Sequence, residues 1–151
     1  MNKPQGSFPM TGNQTFSFAK YKGRYLLLYF YPKDNTPGCT LEGREFSELK
    51  PEFDRLNTVV FGVSKDSIES HEKFKEKQCY QIDLISDASG RLCQYFDVIK
   101  EKNLYGKKSL GIERSTFLLD PQGKVIKEWR KVKAEGHAAE VLQWIKQNIV
   151  S

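Results

Sequence analysis

The sequence predicts an α/β fold of three layers, a mixed central sheet with helices on both faces. Three observations carry this reading. Two runs, YLLLYFY at residues 25–31 and TVVFGVS at Thr58–Ser64, are short, continuously apolar and rich in aromatic or β-branched residues, as strands buried on both faces are. Each is followed by apolar residues at helical spacing. Asp120-Pro121-Gln122-Gly123, a strong type I turn signal, then separates two further strand-like runs. Alternating strands and helices imply parallel, right-handed βα units in the first half, and the late hairpin makes the sheet mixed.

In chain order, the first 20 residues are short apolar pieces around a Thr11-Gly12-Asn13 turn signal, which suits a hairpin. The run at 25–31 is bounded by Gly23 and Pro32. Residues 37–56 predict a helix whose apolar stripe is Phe46, Leu49, Phe53 and Leu56. Pro51 lies inside it and predicts a kink, because proline lacks the N–H and crowds the preceding turn. After the strand Thr58–Ser64, Asp66 or Ser67 can cap a helix that turns Ile68, His71 and Phe74 inward. Residues 82–85 predict a short strand, and Asp87 can cap a short helix with Leu92, Tyr95 and Phe96 on one face. Residues 99–112 predict a charged loop. Ser115–Leu119 and Val125–Trp129 are the hairpin strands, and residues 137–149 form a last helix with Ala138, Leu142, Ile145 and Ile149 inward.

The 151 residues suit one domain, residues 1–151, with a core large enough to need no staples. No segment reaches the roughly 18 consecutive apolar residues of a membrane span. The N-terminus, MNKPQGSFPM, has no apolar run like a signal-peptide core, so a cytoplasmic location is expected. The net charge of +5 permits weak contact with polyanions, but basic residues are interleaved with acidic ones, as in KEWRKVKAE, and no nucleic-acid-binding motif accompanies them. No nucleic-acid partner is expected. Three cysteines, an odd and sparse set, do not make a disulfide scaffold. There is no C-x-x-C pair, and His71 and His137 stand apart from any cysteine cluster, which argues against a zinc site.

The chemistry centres on Cys39. With Thr36 as N-cap, Pro37 takes the first helical position, where its missing N–H costs nothing. Cys39 then lies in the first turn, where free backbone N–H groups and the positive end of the helix dipole favour a thiolate. The turn follows the end of a central parallel strand, where α/β sheets place their ligands. Position alone leaves two readings open, a reactive thiol and an inert cysteine that happens to begin a helix.

Pro32-x-x-x-Thr36-x-x-Cys39 resembles the peroxidatic motif of peroxiredoxins. The longer string FYPKDNTPGCT is similar to the bacterioferritin comigratory protein, or Q-type, branch, and GVSKDS, LISDASG and ERSTFLLDPQGKV match that branch in order and spacing. The resemblance runs from about residue 8 to 149. It implies a thioredoxin-like fold, reduction of hydrogen peroxide and organic hydroperoxides, and no metal or organic cofactor. Cys39 would be the peroxidatic nucleophile and become a sulfenic acid. Thr36 would hydrogen-bond the thiolate and the incoming peroxide, and Pro32 would shield the pocket. Arg114, at the head of a strand, resembles the active-site arginine; the residues alone suggest instead a surface arginine paired with Glu113. Glu42 is similar to a frequent family acid, with a solvated helix carboxylate as the other reading.

Many members of the branch carry a resolving cysteine five residues after the first, where this sequence has Arg44. Others carry it in the helix after the second strand, at a place that falls on Lys75. Cys79, four residues on and on the same face if the helix persists, is the favoured resolving candidate. Cys93 fits a small buried hydrophobe better. If neither resolves, an external thiol must reduce Cys39 directly. By resemblance the reductant is thioredoxin, with glutathione and glutaredoxin for a one-cysteine enzyme, and a monomer is favoured. Two alternatives stand beside the peroxidase: a thioredoxin-like disulfide oxidoreductase, against which the missing C-x-x-C counts, and a non-catalytic binding module.

Overall fold

The computed structural model describes residues 3–149. Phe8–Met10 (β1) and Gln14–Phe16 (β2) form the expected hairpin around Thr11-Gly12-Asn13. A short 3-10 helix at Phe18–Tyr21 leads into Tyr25–Phe30 (β3), Pro37–Arg55 (α1), Thr58–Ser64 (β4), Ile68–Gln78 (α2), Asp83–Ser86 (β5) and Arg91–Tyr95 (α3). Ile99–Leu104 (β6), Lys107–Ile112 (β7), Ser115–Leu119 (β8), Val125–Trp129 (β9) and His137–Asn148 (α4) complete the order. The main sheet has seven strands in the order β2-β1-β5-β4-β3-β8-β9. β3 and β5 flank β4 in parallel, and β8 runs antiparallel to both β3 and β9, so the sheet is mixed as predicted.

β3 shows why its run is apolar throughout. Leu26, Leu28 and Phe30 point into a core shared with Phe8, Phe16, Leu92 and Phe96. Leu27, Tyr29 and Tyr31 point into a second core with residues of α1, α2 and α4. The period-2 alternation of a strand thus feeds one core on each face of the sheet. Phe46 and Phe53 of α1 are fully buried in the second core, each contributing roughly 1.5–3 kcal/mol. Phe46 stacks on Tyr29 at 4.6 Å, seating α1 over β3. α1 continues as one helix through Pro51, with no break there.

Ser67, rather than Asp66, caps α2 by accepting the Ser70 N–H. The Asp87 carboxylate accepts the N–H groups of Leu92 and Cys93, as expected for the short α3. The stretch 99–112 corrects the sequence reading: it is no loop but the β6–β7 hairpin, a separate two-stranded sheet. Tyr105 and Gly106 have φ of 54° and 80°, the left-handed pair of a tight hairpin turn. Residues 101–103 and 105–110 are exposed, so no apolar–polar alternation marks these strands.

Candidate active site

Pairing places the site. β3 ends at Phe30, opposite Ser115, the first residue of antiparallel β8. Arg114 therefore sits at the sheet end from which the chain leaves β3 for α1. The first turn of α1 follows Thr36, an extended N-cap, with Thr40 N–H donating to the Thr36 carbonyl at 2.9 Å. Cys39 lies in this turn and is 2% exposed. Gly38, one residue earlier, leaves room for the arginine: a Cβ there would stand 3.1 Å from Arg114 Nη2.

Arg114 bridges two groups. Its Nη2 donates to Cys39 Sγ at 3.4 Å and its Nη1 to Glu42 Oε1 at 2.6 Å. The expected pairing with Glu113 does not occur; the partner is Glu42, one helical turn beyond Cys39 on the same face. Glu42 is no solvated acid either, being fully buried. Burial pushes its carboxyl up to about 7 against the opposing pull of the Arg114 guanidinium, and its Oε2 has no hydrogen-bond partner among the described residues.

Thr36 is half-buried and its hydroxyl donates to the Lys33 carbonyl at 2.9 Å, not to Cys39 Sγ. Pro32 is half-buried in the same loop. Cys79 caps the C-terminus of α2 with a left-handed φ of 56° and is exposed. Cys93 is fully buried in the first core, and burial pushes its thiol up, as a small core hydrophobe would have it. All three thiols are free.

Tyr80 was missed in the sequence. Its hydroxyl donates to the Thr40 carbonyl at 2.8 Å, and its ring fills the space over Gly43, where a Cβ would lie 2.5 Å away. The residue after Cys79 is thus docked on the helix that carries Cys39. The available signal was Gly43 itself, since an interior helix glycine costs about 1 kcal/mol and flags close approach. Asp34, Asp66 and His71 bring potential metal-ligand atoms within 4.8 Å of one another, but both His71 nitrogens are already hydrogen-bonded.

Residues 3–128 match the AhpC/TSA family. The chain belongs to that family, and within it to the peroxiredoxin Q branch. It is 53% identical to peroxiredoxin Bcp of Xanthomonas campestris over 137 residues, covering 91% of this chain and 86% of that protein. Peroxiredoxin Bcp of Bacillus subtilis is 51% identical over 133 residues, with 88% and 85% covered. The solved structure of the Xanthomonas campestris bacterioferritin comigratory protein, described for its alkyl peroxide reduction activity, superposes with a TM-score of 0.89 at 50% identity, covering 93% of this chain and 90% of that one. The fold of this peroxiredoxin is accordingly thioredoxin-like. Arg44 is exposed, and Lys75 is paired with Asp83 at 2.6 Å.

Proposed function

We propose that this peroxiredoxin is a thiol peroxidase that reduces hydrogen peroxide and organic hydroperoxides at Cys39. The observation that carries the assignment is the Arg114 guanidinium held between Cys39 Sγ and Glu42 Oε1. A fixed positive charge and the first-turn amides of α1 both face the sulfur, where they can hold negative charge during the reaction. The thiolate attacks one peroxide oxygen; an S–O bond forms, the O–O bond breaks, and water or an alcohol leaves after taking a proton. Arg114 stabilises the charge that develops on the departing oxygen. The Thr36 hydroxyl, a free rotor now turned to the Lys33 carbonyl, would turn to the sulfur and the peroxide, and Pro32 would keep water from the sulfenic acid.

Regeneration goes through Cys79. Its thiol condenses with the Cys39 sulfenic acid, forming an S–S bond and releasing water. In this structure Cys39 is buried and Cys79 exposed, so the step requires both helix ends to loosen. The position of Cys79 at a helix terminus supports it as the segment that moves. Thioredoxin would then reduce the disulfide by thiol exchange; glutathione with glutaredoxin would serve if Cys39 is reduced directly. We take residues 1–151 to act as a single-domain monomer in the cytoplasm. Among the described residues no helix is long and apolar enough to cross a membrane.

Mass spectrometry of the reduced protein after one equivalent of hydrogen peroxide, with a sulfenic-acid trap present, tests the reading. A linked Cys39–Cys79 peptide is expected. Trapped sulfenic acid on Cys39 without a disulfide would leave the peroxidase and remove Cys79. An unmodified Cys39 would overturn both.

A further inference from the structure

The loop between β3 and α1 carries Pro32 and Thr36, and its side-chain anchor is a buried polar network centred on Asp34. The Asp34 carboxylate accepts from Tyr31 Oη at 2.6 Å, from Ser70 Oγ at 2.7 Å and from His71 Nδ1 at 2.7 Å. Its backbone N–H donates to Asp66 Oδ2 at 2.9 Å, and that oxygen also accepts from Ser64 Oγ at 2.7 Å. His71 is fully buried, and its Nε2 donates to the Ile85 carbonyl at 2.9 Å. Both ring nitrogens thus lie within hydrogen-bond distance of an oxygen, so the ring is held at both ends. Burial pushes the Asp34 carboxyl up, but the hydrogen bonds from His71, Tyr31 and Ser70 and the His71 charge outweigh it and hold the group below the usual carboxylate range.

Burying a carboxylate and an imidazole together is a poor means of adding stability, because desolvation offsets most of the attraction. Its effect is geometric: a fully satisfied polar network admits one arrangement, whereas apolar contacts can slip. Here the anchors straddle Pro32. Tyr31 is held through its backbone N–H to the Val63 carbonyl at 3.0 Å as well as through its hydroxyl, and Asp34 is held on the other side. Asn35 follows with a left-handed φ of 65°, and Thr36 then opens α1. Cys39 Sγ is hydrogen-bonded by Arg114, and by neither Asp34 nor His71.

We propose that Asp34 and His71 are positioning residues for the peroxide reaction, fixing the Pro32–Thr36 segment over the first turn of α1 by tying it to the N-terminal end of α2 and the ends of β4 and β5. This rests on the peroxidase reading of Cys39. A displacement of about 1 Å at such a segment costs on the order of 100-fold in rate.

The experiment compares two reactions of Cys39 in Asp34→Ala and in Tyr31→Phe, with folding checked by circular dichroism. One is single-turnover oxidation by hydrogen peroxide, which needs the positioned loop. The other is alkylation by iodoacetamide, which needs only the thiolate. In Asp34→Ala, peroxide oxidation is expected to fall about 100-fold, while alkylation stays within about threefold of the parent rate. Tyr31→Phe, which removes a single hydrogen bond, shifts in the same direction by less and decides the matter if Asp34→Ala does not fold. A folded variant with an unchanged peroxide rate, or one in which both reactions fall together, overturns the proposal. Peroxide consumption that survives Cys39→Ser overturns the site reading itself, which separates the two failures.

Discussion

Arg114 and Glu42 meet at 2.6 Å in a site where Glu42 is fully buried and its second oxygen has no donor among the described residues. Burial raises the Glu42 carboxyl from its ordinary 4.5 to about 7. Between these values the folded protein keeps a proton that the unfolded chain has released. Stability therefore falls as pH rises from about 4.5 to about 7 and is flat in this respect above it. The loss is on the order of 3 kcal/mol. Urea midpoints at pH 5 and pH 8 should show the decline in the parent protein and a smaller one in Glu42→Gln; equal declines would remove Glu42 as the source.

Replacing Arg114 tests the other end of the bridge. Arg114→Ala should slow oxidation of Cys39 by about 10²- to 10³-fold, read by stopped-flow with hydrogen peroxide. Arg114→Lys should not restore the rate, because one ammonium cannot span the two acceptors that the guanidinium fork reaches. A lysine variant at parent rate would mean that charge alone suffices.

Tyr80 and Gly43 should behave as a coupled pair. Gly43→Ala drives a methyl group into the Tyr80 ring and should cost about 1–3 kcal/mol. In a Tyr80→Ala background the same change should cost far less, a non-additivity measurable by denaturant titration of the four proteins. Additive losses would mean that the ring leaves Gly43 freely.

The cysteines should differ sharply toward a maleimide. In the reduced, folded protein Cys79, exposed at a helix end, should react at once, and Cys93 should react only on unfolding. Peptide mapping of the labelled protein checks this. Rapid labelling of Cys93 would show that the first core opens far more often than its packing implies.

Most of the main sheet was legible because β3, β4 and β8 are buried on both faces and their composition says so, while the Asp-Pro-Gln-Gly turn marks the half-exposed β9. Thr58–Ser64, Ser115–Leu119 and Val125–Trp129 fall where the sequence puts them, and β3 differs by one residue at its end. The β6–β7 hairpin was not legible, because backbone pairing and a Tyr-Gly turn hold it rather than an apolar face. At the site, helix-start chemistry drew attention to Cys39 but left a reactive and an inert cysteine both open, and only the resemblance of FYPKDNTPGCT favoured the first. Arg114 was only half readable: its place before a strand was clear, but its choice of Glu42 over Glu113 depends on how β8 registers with β3. Helical spacing marked His71 as inward-facing, but its pairing with Asp34 and the docking of Tyr80 on Thr40 span 37 and 40 residues of chain and gave no local signal.

The two-sided alternation of β3 carries a consequence for protein engineering. Substitutions in this strand disturb one core at a time, but deleting or inserting a single residue would exchange the side chains of both cores at once and move the start of α1 relative to Arg114. By contrast, the Tyr105-Gly106 turn belongs to a separate ribbon with exposed residues along its length. Peptide tags or fluorophore-acceptor sequences placed there would leave both cores in frame, whereas frame shifts in β3 are the lesions this chain is least able to absorb.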